Sequence, residues 1–229
     1  MADPKNASRA DIGAIFDTLD SQHPNADTEL DFRTPFELLA ATILSAQCTD
    51  ARVNQVAPAL FAAYPDARAM AAATPEALEP LIQTTGFFRV KARNLQSMAE
   101  QLMRTHSGEV PADMDALVAL PGVGRKTANV VLGHALGIPG WPVDRHVLRV
   151  AERIGLIHTD DAVMAERELC ALLPPPRWTR ASDTLILHGR RICKPKPMCD
   201  SCNIRTSCAY FKALGMKAAP SKPTKKSAK

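Results

Sequence analysis

Lys126 stands in the first turn of an apolar helix that begins directly after a tight turn, Leu120-Pro121-Gly122-Val123-Gly124-Arg125. Gly122 and Gly124 lack Cβ, so backbone N–H groups around Val123 and Arg125 can approach an anion closely. The helix N-terminus adds a positive dipole end, and a single phosphate group is the natural guest. A lysine held there is a candidate amine nucleophile. Taken alone, the same residues also describe a plain helix–helix turn with a solvated lysine. Asp144 opens a helix after a Pro/Gly-rich break. A carboxylate there caps the helix, or serves as a general base or as a negative charge facing a sugar oxocarbenium ion. Lys126 and Asp144 together make an amine–carboxylate pair suited to cleaving a glycosidic bond through a Schiff base.

Four of the six cysteines fall in one short stretch, with five, two and five residues between Cys193, Cys199, Cys202 and Cys208. In a reducing compartment such clustering means metal rather than disulfides. Four thiolates suit a [4Fe–4S] cluster or a zinc ion. Lys194 and Lys196 lie inside the first gap, beside Arg190 and Arg191. A metal-pinned loop with these lysines can hold a nucleic-acid backbone. Cys48 and Cys170 have no such pattern and read as helix-packing residues.

The elements that must position these groups are helical. Ile12, Ile15, Phe16 and Leu19 mark a first amphipathic helix. Phe36, Leu39, Ala40, Ile43 and Leu44 mark a second, with Thr34 as cap and Pro35 at its first position. A third starts near Thr49 and carries Pro58, which should kink it or remove a hydrogen bond. Short helices follow near 65–73 and 75–82, then a loop at 85–88 and a long helix from Val90 to Arg104. Asp113 caps a short helix before the central turn. Two Gly and two Pro in Gly137-Ile138-Pro139-Gly140-Trp141-Pro142 mark a domain boundary. Helices near 144–154, 161–173 and 178–191 follow.

The chain has 229 residues and a formal charge of +4. Five lysines and no acid lie in residues 217–229; without them 23 basic side chains face 24 acidic ones. A nucleic-acid face must therefore come from local clusters rather than bulk charge. No run approaches the roughly 18–20 apolar residues of a membrane span. The N-terminus lacks an apolar signal core, so a cytoplasmic protein is expected.

Four segments appear in one order: LSAQCTD at 44–50, LPGVGRKTANVVL at 120–132, WPVDRH at 141–146, and LHGRRIC leading into the four-cysteine loop. Together they resemble the endonuclease III branch of the helix–hairpin–helix DNA glycosylases, over residues from about 10 to 211. The resemblance implies an all-α, two-domain architecture. A six-helix domain with the hairpin would span 28–138. A discontinuous iron–sulfur domain would take 1–27 and 139–212, and 213–229 would be a disordered basic tail.

The resemblance also implies roles. Lys126 would be the Schiff-base nucleophile and Asp144 the catalytic carboxylate. Gln47 would fill the space left by a flipped nucleotide, and Phe87 would wedge against the opposite strand, where many relatives have Leu. Gly122, Val123, Gly124 and Arg125 would grip the DNA backbone. Arg145, His146, Lys194 and Lys196 would contact DNA near the site. Arg145 replaces a common Thr, and the first cysteine gap is one residue shorter than usual. Cys193, Cys199, Cys202 and Cys208 would bind a [4Fe–4S] cluster. The implied activity is a bifunctional DNA glycosylase and abasic-site lyase of base excision repair. It would act as a monomer on duplex DNA containing oxidised pyrimidines or abasic sites, in a bacterial, nucleoid-associated setting. The alternatives are a monofunctional adenine-mismatch-type glycosylase, which Lys126 argues against, and a non-enzymatic, zinc-held DNA-binding module.

Overall fold

The structure, a computed structural model, describes residues 9–215. Among them every regular element is helical. In chain order the α-helices are α1 (Arg9–Gln22), α2 (Pro35–Leu44), α3 (Asp50–Ala63), α4 (Ala67–Ala71), α5 (Pro75–Ile82) and α6 (Phe88–His106). They continue with α7 (Met114–Val118), α8 (Arg125–Ala135), α9 (Arg145–Ile154), α10 (Ala162–Leu172), α11 (Trp178–Arg191) and α12 (Ala209–Ala213). The all-helical class read from the sequence is what is found. The lysine-rich stretch 217–229 lies outside the described residues.

Side-chain caps explain most of the helix starts. Thr34, Thr49, Asp66, Thr74, Asp113 and Asp161 each accept a backbone N–H from the third residue of the helix they open. Pro35 and Pro75 stand at first helical positions, where a missing N–H costs nothing. Pro58 is exposed, and α3 continues through it to Ala63.

The described chain divides into two compact units. One takes Asp27–Pro142 and Pro174–Ser182; the other takes the residues up to Ala26, Val143–Leu173 and those from Asp183 onward. In the first, α2 runs through the middle and is buried along nearly its whole length, from Phe36 to Leu44. It packs against α3, α6 and α8. Leu38, Leu39, Leu60, Met70, Leu78, Leu95, Met98 and Val131 are fully buried around it. The hairpin helices α7 and α8 pack on each other.

Residues 174–182 group with this unit, whereas the sequence reading placed all of 139–212 in the cysteine-bearing domain. The reason is local. A Cβ on Gly133 would stand 2.5 Å from Thr179 Oγ1, so only glycine admits that side chain. Thr179 Oγ1 then donates to the Gly140 carbonyl at 3.1 Å, and Ser182 Oγ donates to the Pro142 carbonyl.

The second unit is built on Phe16, Leu19, Val147, Val150, Ala151, Ile157, Ala165, Leu169 and Leu185, all but fully buried. It joins α1 to α9, α10 and the end of α11. The Cys193–Cys208 loop follows, and α12 returns against α9.

Candidate active site and metal centre

The hairpin is a tight turn joined to a helix with no side-chain cap. Gly122 has φ +76°, a left-handed value that suits glycine, and a Cβ there would meet Asn94 Cβ and Nδ2 at 3.0 Å. Val123 N–H bonds back to the Leu120 carbonyl at 3.1 Å, and the Val123 side chain is buried as an anchor. Gly124 is the N-cap of α8 and offers no side chain to its first N–H groups. Gly122, Gly124, Arg125 and Lys126 are exposed. The arrangement can accept an anion on backbone N–H groups, with the Lys126 amine beside it.

Asp144 caps α9 with one oxygen. Its Oδ1 accepts from His146 N at 2.7 Å and Val147 N at 2.9 Å. Both bonds fall on Oδ1, so Oδ2 accepts none from the described residues. The half-buried carboxylate is thus oriented through one atom and chemically available through the other. Lys126 belongs to the first unit and Asp144 to the second.

His146 is half-buried, and its Nδ1 faces Arg149 Nη2 at 3.0 Å. A guanidinium only donates, so Nδ1 accepts and the ring proton resides on Nε2. Burial, chiefly, holds His146 below the ordinary histidine value; Asp144 pulls upward, and Arg149, Arg190 and Arg145 push down. Gly189 lets α11 close on this point, since a Cβ there would stand 3.0 Å from His146 Cβ. Arg145 is exposed.

Gln47 and Phe87 occupy two exposed loops, after α2 and before α6. Both are non-glycine residues in the left-handed region, at φ +52° and +48°. Phe87 is 67% exposed, so it is not a core aromatic. Cys48, read as helical, lies instead in the loop that follows Gln47. Lys91 of α6 is 4% exposed and reaches both loops: its Nζ donates to the carbonyls of Leu44 and Thr85 at 2.8 Å each.

All six cysteines are free thiols. Cys193, Cys199, Cys202 and Cys208 line one pocket, walled by Ile154, Ile192, Ile204 and Phe211. Burial, first, and then the neighbouring thiols push Cys199 up. Burial drives Cys202 to about 11 and also raises Cys208. The burial that holds Cys199, Cys202 and Cys208 back from ionising would be offset by a bound cation, which makes the group a metal donor set. Four sulfur donors in an apolar-walled pocket fit a thiolate-bound metal group, a zinc ion or an iron–sulfur cluster.

Arginines of α9 hold the loop. Arg153 Nη1 donates to the Lys194 carbonyl at 2.7 Å and Nη2 to the Pro195 carbonyl at 3.0 Å, while its guanidinium stacks on Tyr210. These bonds shape the shortened first gap and leave the Lys194 and Lys196 side chains exposed. Arg149 Nε donates to the Cys193 carbonyl at 3.1 Å. On the inner side, His188 Nε2 lies 3.6 Å from Cys202 Sγ, and His188 Nδ1 lies 2.9 Å from His23 Nε2. Burial, then His23, lowers His188 to about 4.

Comparison with known proteins decides the family. The sequence profile of the HhH-GPD superfamily of base excision DNA repair proteins matches residues 40–175. Endonuclease III of Synechocystis sp. is 50% identical over 193 residues, covering 83% of this chain and 88% of the relative. Endonuclease III of Escherichia coli K12 is 41% identical over 197 residues, covering 86% and 93%. This chain belongs to the endonuclease III family of the HhH-GPD superfamily.

A trapped endonuclease III–DNA covalent intermediate superposes with TM-score 0.85 at 42% identity, covering 92% of this chain and all of that one. A thermostable thymine-DNA glycosylase, at 22% identity and TM-score 0.77, shares the fold. As an endonuclease III family member the chain is a base excision repair enzyme of the DNA glycosylase/abasic-site lyase class, as the sequence reading expected. No helix among the described residues is long and apolar enough to cross a membrane.

Sequence reasoning missed Lys91, Arg149, Arg153 and the His23–His188 pair. For Lys91 a signal existed: it continues the stripe of Leu95, Met98 and Leu102 on the buried side of α6. A lysine on an apolar stripe needs a reason. The two arginines bond mainly to backbone carbonyls, which carry no sequence pattern.

Proposed function

We propose that this endonuclease III family enzyme removes oxidised pyrimidines from duplex DNA and cleaves the strand 3′ to the resulting abasic site. The hairpin holds a backbone phosphate on the N–H groups at the start of α8. The damaged nucleotide leaves the stack, because its C1′ is unreachable inside the duplex. Gln47 fills the vacated space and Phe87 wedges against the opposite strand. Arg145 and His146 contact DNA near the flipped nucleotide.

The Lys126 amine attacks C1′, and the glycosidic bond breaks as the base leaves with a proton. Asp144 stabilises the positive charge that develops on the sugar and assists proton transfer. Ring opening gives an imine between Lys126 and C1′. Loss of a C2′ proton then expels the 3′ phosphate, which is β-elimination. Cys193, Cys199, Cys202 and Cys208 would hold a [4Fe–4S] cluster. When bound, its iron–thiolate bonds crosslink the loop at four points and so fix Lys194 and Lys196 against the DNA backbone.

The observation that carries this reading is the exposed Lys126 at the start of a helix whose cap, Gly124, leaves the first N–H groups to an anion. The covalent intermediate trapped in a relative supports it. Product analysis on a duplex with one thymine glycol is the test. The expected products are free thymine glycol and a strand ending in a 3′ unsaturated aldehyde. Free base with an intact abasic strand would instead mark a monofunctional glycosylase.

A further inference from the structure

Lys91 is a buried cation with no carboxylate bonded to it among the described residues, and the Cys48 thiol nearby is the one group that favours its charge. Its Nζ bonds to two main-chain carbonyls, those of Leu44 and Thr85, and to no carboxylate. Burial holds its amine below the ordinary lysine value, so the ammonium stands there at a cost. Packing alone would favour methionine or leucine at this position of the α6 stripe.

What the ammonium joins is specific. The Leu44 carbonyl closes α2, where a C-terminal carbonyl lacks its helical partner and the dipole favours a cation. The Thr85 carbonyl closes the short helical turn Gln83–Thr85. Gln47 follows Leu44 by three residues and Phe87 follows Thr85 by two. These are the two exposed left-handed residues described above, and each such conformation persists only where its surroundings hold it. One donor group therefore ties together the bases of both loops.

We propose that Lys91 is a positioning residue for lesion recognition. Its ammonium fixes the spacing of the two loops so that Gln47 and Phe87 enter the duplex together. This rests on the reading of those two residues as the inserting pair.

The test compares Lys91→Met with Gln47→Ala and Phe87→Ala. All are checked for thermal transition and visible absorbance, then bound to duplexes with and without a tetrahydrofuran abasic analogue. 2-Aminopurine opposite the analogue reports insertion. Lys91→Met is expected to bind undamaged duplex within about twofold of wild type. It should lose at least tenfold in preference for the analogue and lose the fluorescence rise. On a natural abasic duplex its half-saturating concentration should rise at least tenfold, with the saturated single-turnover rate changed less than threefold. If the Gln47 and Phe87 variants lose preference and signal while Lys91→Met keeps both, Lys91 does not position the loops. If those two variants themselves keep both, the insertion reading has failed instead, and the proposal falls with it. Should Lys91→Met not fold, Lys91→Gln, too short to reach both carbonyls, is expected to show the same loss. A folded Lys91→Gln with wild-type preference would overturn the proposal.

Discussion

Arg149 Nη2 lies 3.0 Å from His146 Nδ1, and the same guanidinium binds the main chain that carries the first cysteine of the four-cysteine loop. Its Nε donates to the Cys193 carbonyl at 3.1 Å and its Nη2 to the Gly189 carbonyl at 3.1 Å. One side chain thus connects the residue two beyond Asp144 to the start of the cysteine loop. Replacing Arg149 with Met removes all three bonds and strands two carbonyls. Charge-assisted bonds of this kind contribute about 1.5–3 kcal/mol each, with partial rescue by water. The expected loss is roughly 2–4 kcal/mol, seen as a lower calorimetric transition together with faster loss of bound iron. An unchanged transition would remove Arg149 from the account.

His146 sets a pH dependence whose sign is fixed. Its folded value lies below the ordinary 6.5, chiefly through burial. Below about pH 6.5 the unfolded chain therefore takes up a proton that the folded chain refuses. Stability attributable to His146 falls as pH drops from 6.5 to the lower folded value, then levels; above 6.5 it contributes no slope. The thermal transitions of wild type and His146→Gln should run parallel above pH 6.5 and converge or cross below it. A slope difference confined to pH 7–9 would contradict this.

The two hairpin glycines should respond differently. Gly122 has φ +76° and Asn94 at 3.0 Å from a built Cβ, so Gly122→Ala is expected to cost about 1–3 kcal/mol and to lower the thermal transition. Gly124 has φ −96° and open space around its Cβ position. Gly124→Ala should leave the transition nearly unchanged yet weaken DNA binding, because the methyl group then occupies open space through which an anion would approach the uncapped N–H groups. Equal thermal behaviour of the two variants would refute the distinction.

The His23–His188 pair bears on the [4Fe–4S] cluster proposed for the four cysteines. With Cys202 as a thiolate, only His188 Nε2–H can donate across the 3.6 Å gap, and His23 Nε2–H then donates to His188 Nδ1. A donor aimed at a ligand sulfur stabilises the more negative, reduced state. Film voltammetry of the iron-loaded protein should give a lower midpoint potential for His188→Leu than for wild type, with His188→Gln between them. Identical potentials in all three would show that this contact does not reach the cluster.

Most of the helical framework was legible because apolar spacing and polar caps coincide, as at Thr34–Pro35, Asp113 and Asp144. The cysteine loop was legible from spacing alone. Less visible were features made by main-chain partners. Nothing in Ser45-Ala46-Gln47-Cys48 marks a break, since neither Gly nor Pro appears, yet the chain leaves the helix after Leu44 and Gln47 turns left-handed. Lys91 was hidden because its partners are carbonyls, one of them 47 residues away. The placement of 174–182 was hidden because it depends on Gly133 making room for Thr179 and on the Gly140 carbonyl accepting its hydroxyl, a contact that begins at a missing side chain.

The most direct measurement is borohydride trapping on a duplex with one thymine glycol, comparing wild type with Lys126→Ala. Wild type should give a covalent protein–DNA adduct and Lys126→Ala none, with DNA binding kept by both. Base release by wild type without any adduct, or an equal adduct from Lys126→Ala, would contradict the Schiff-base role assigned to Lys126.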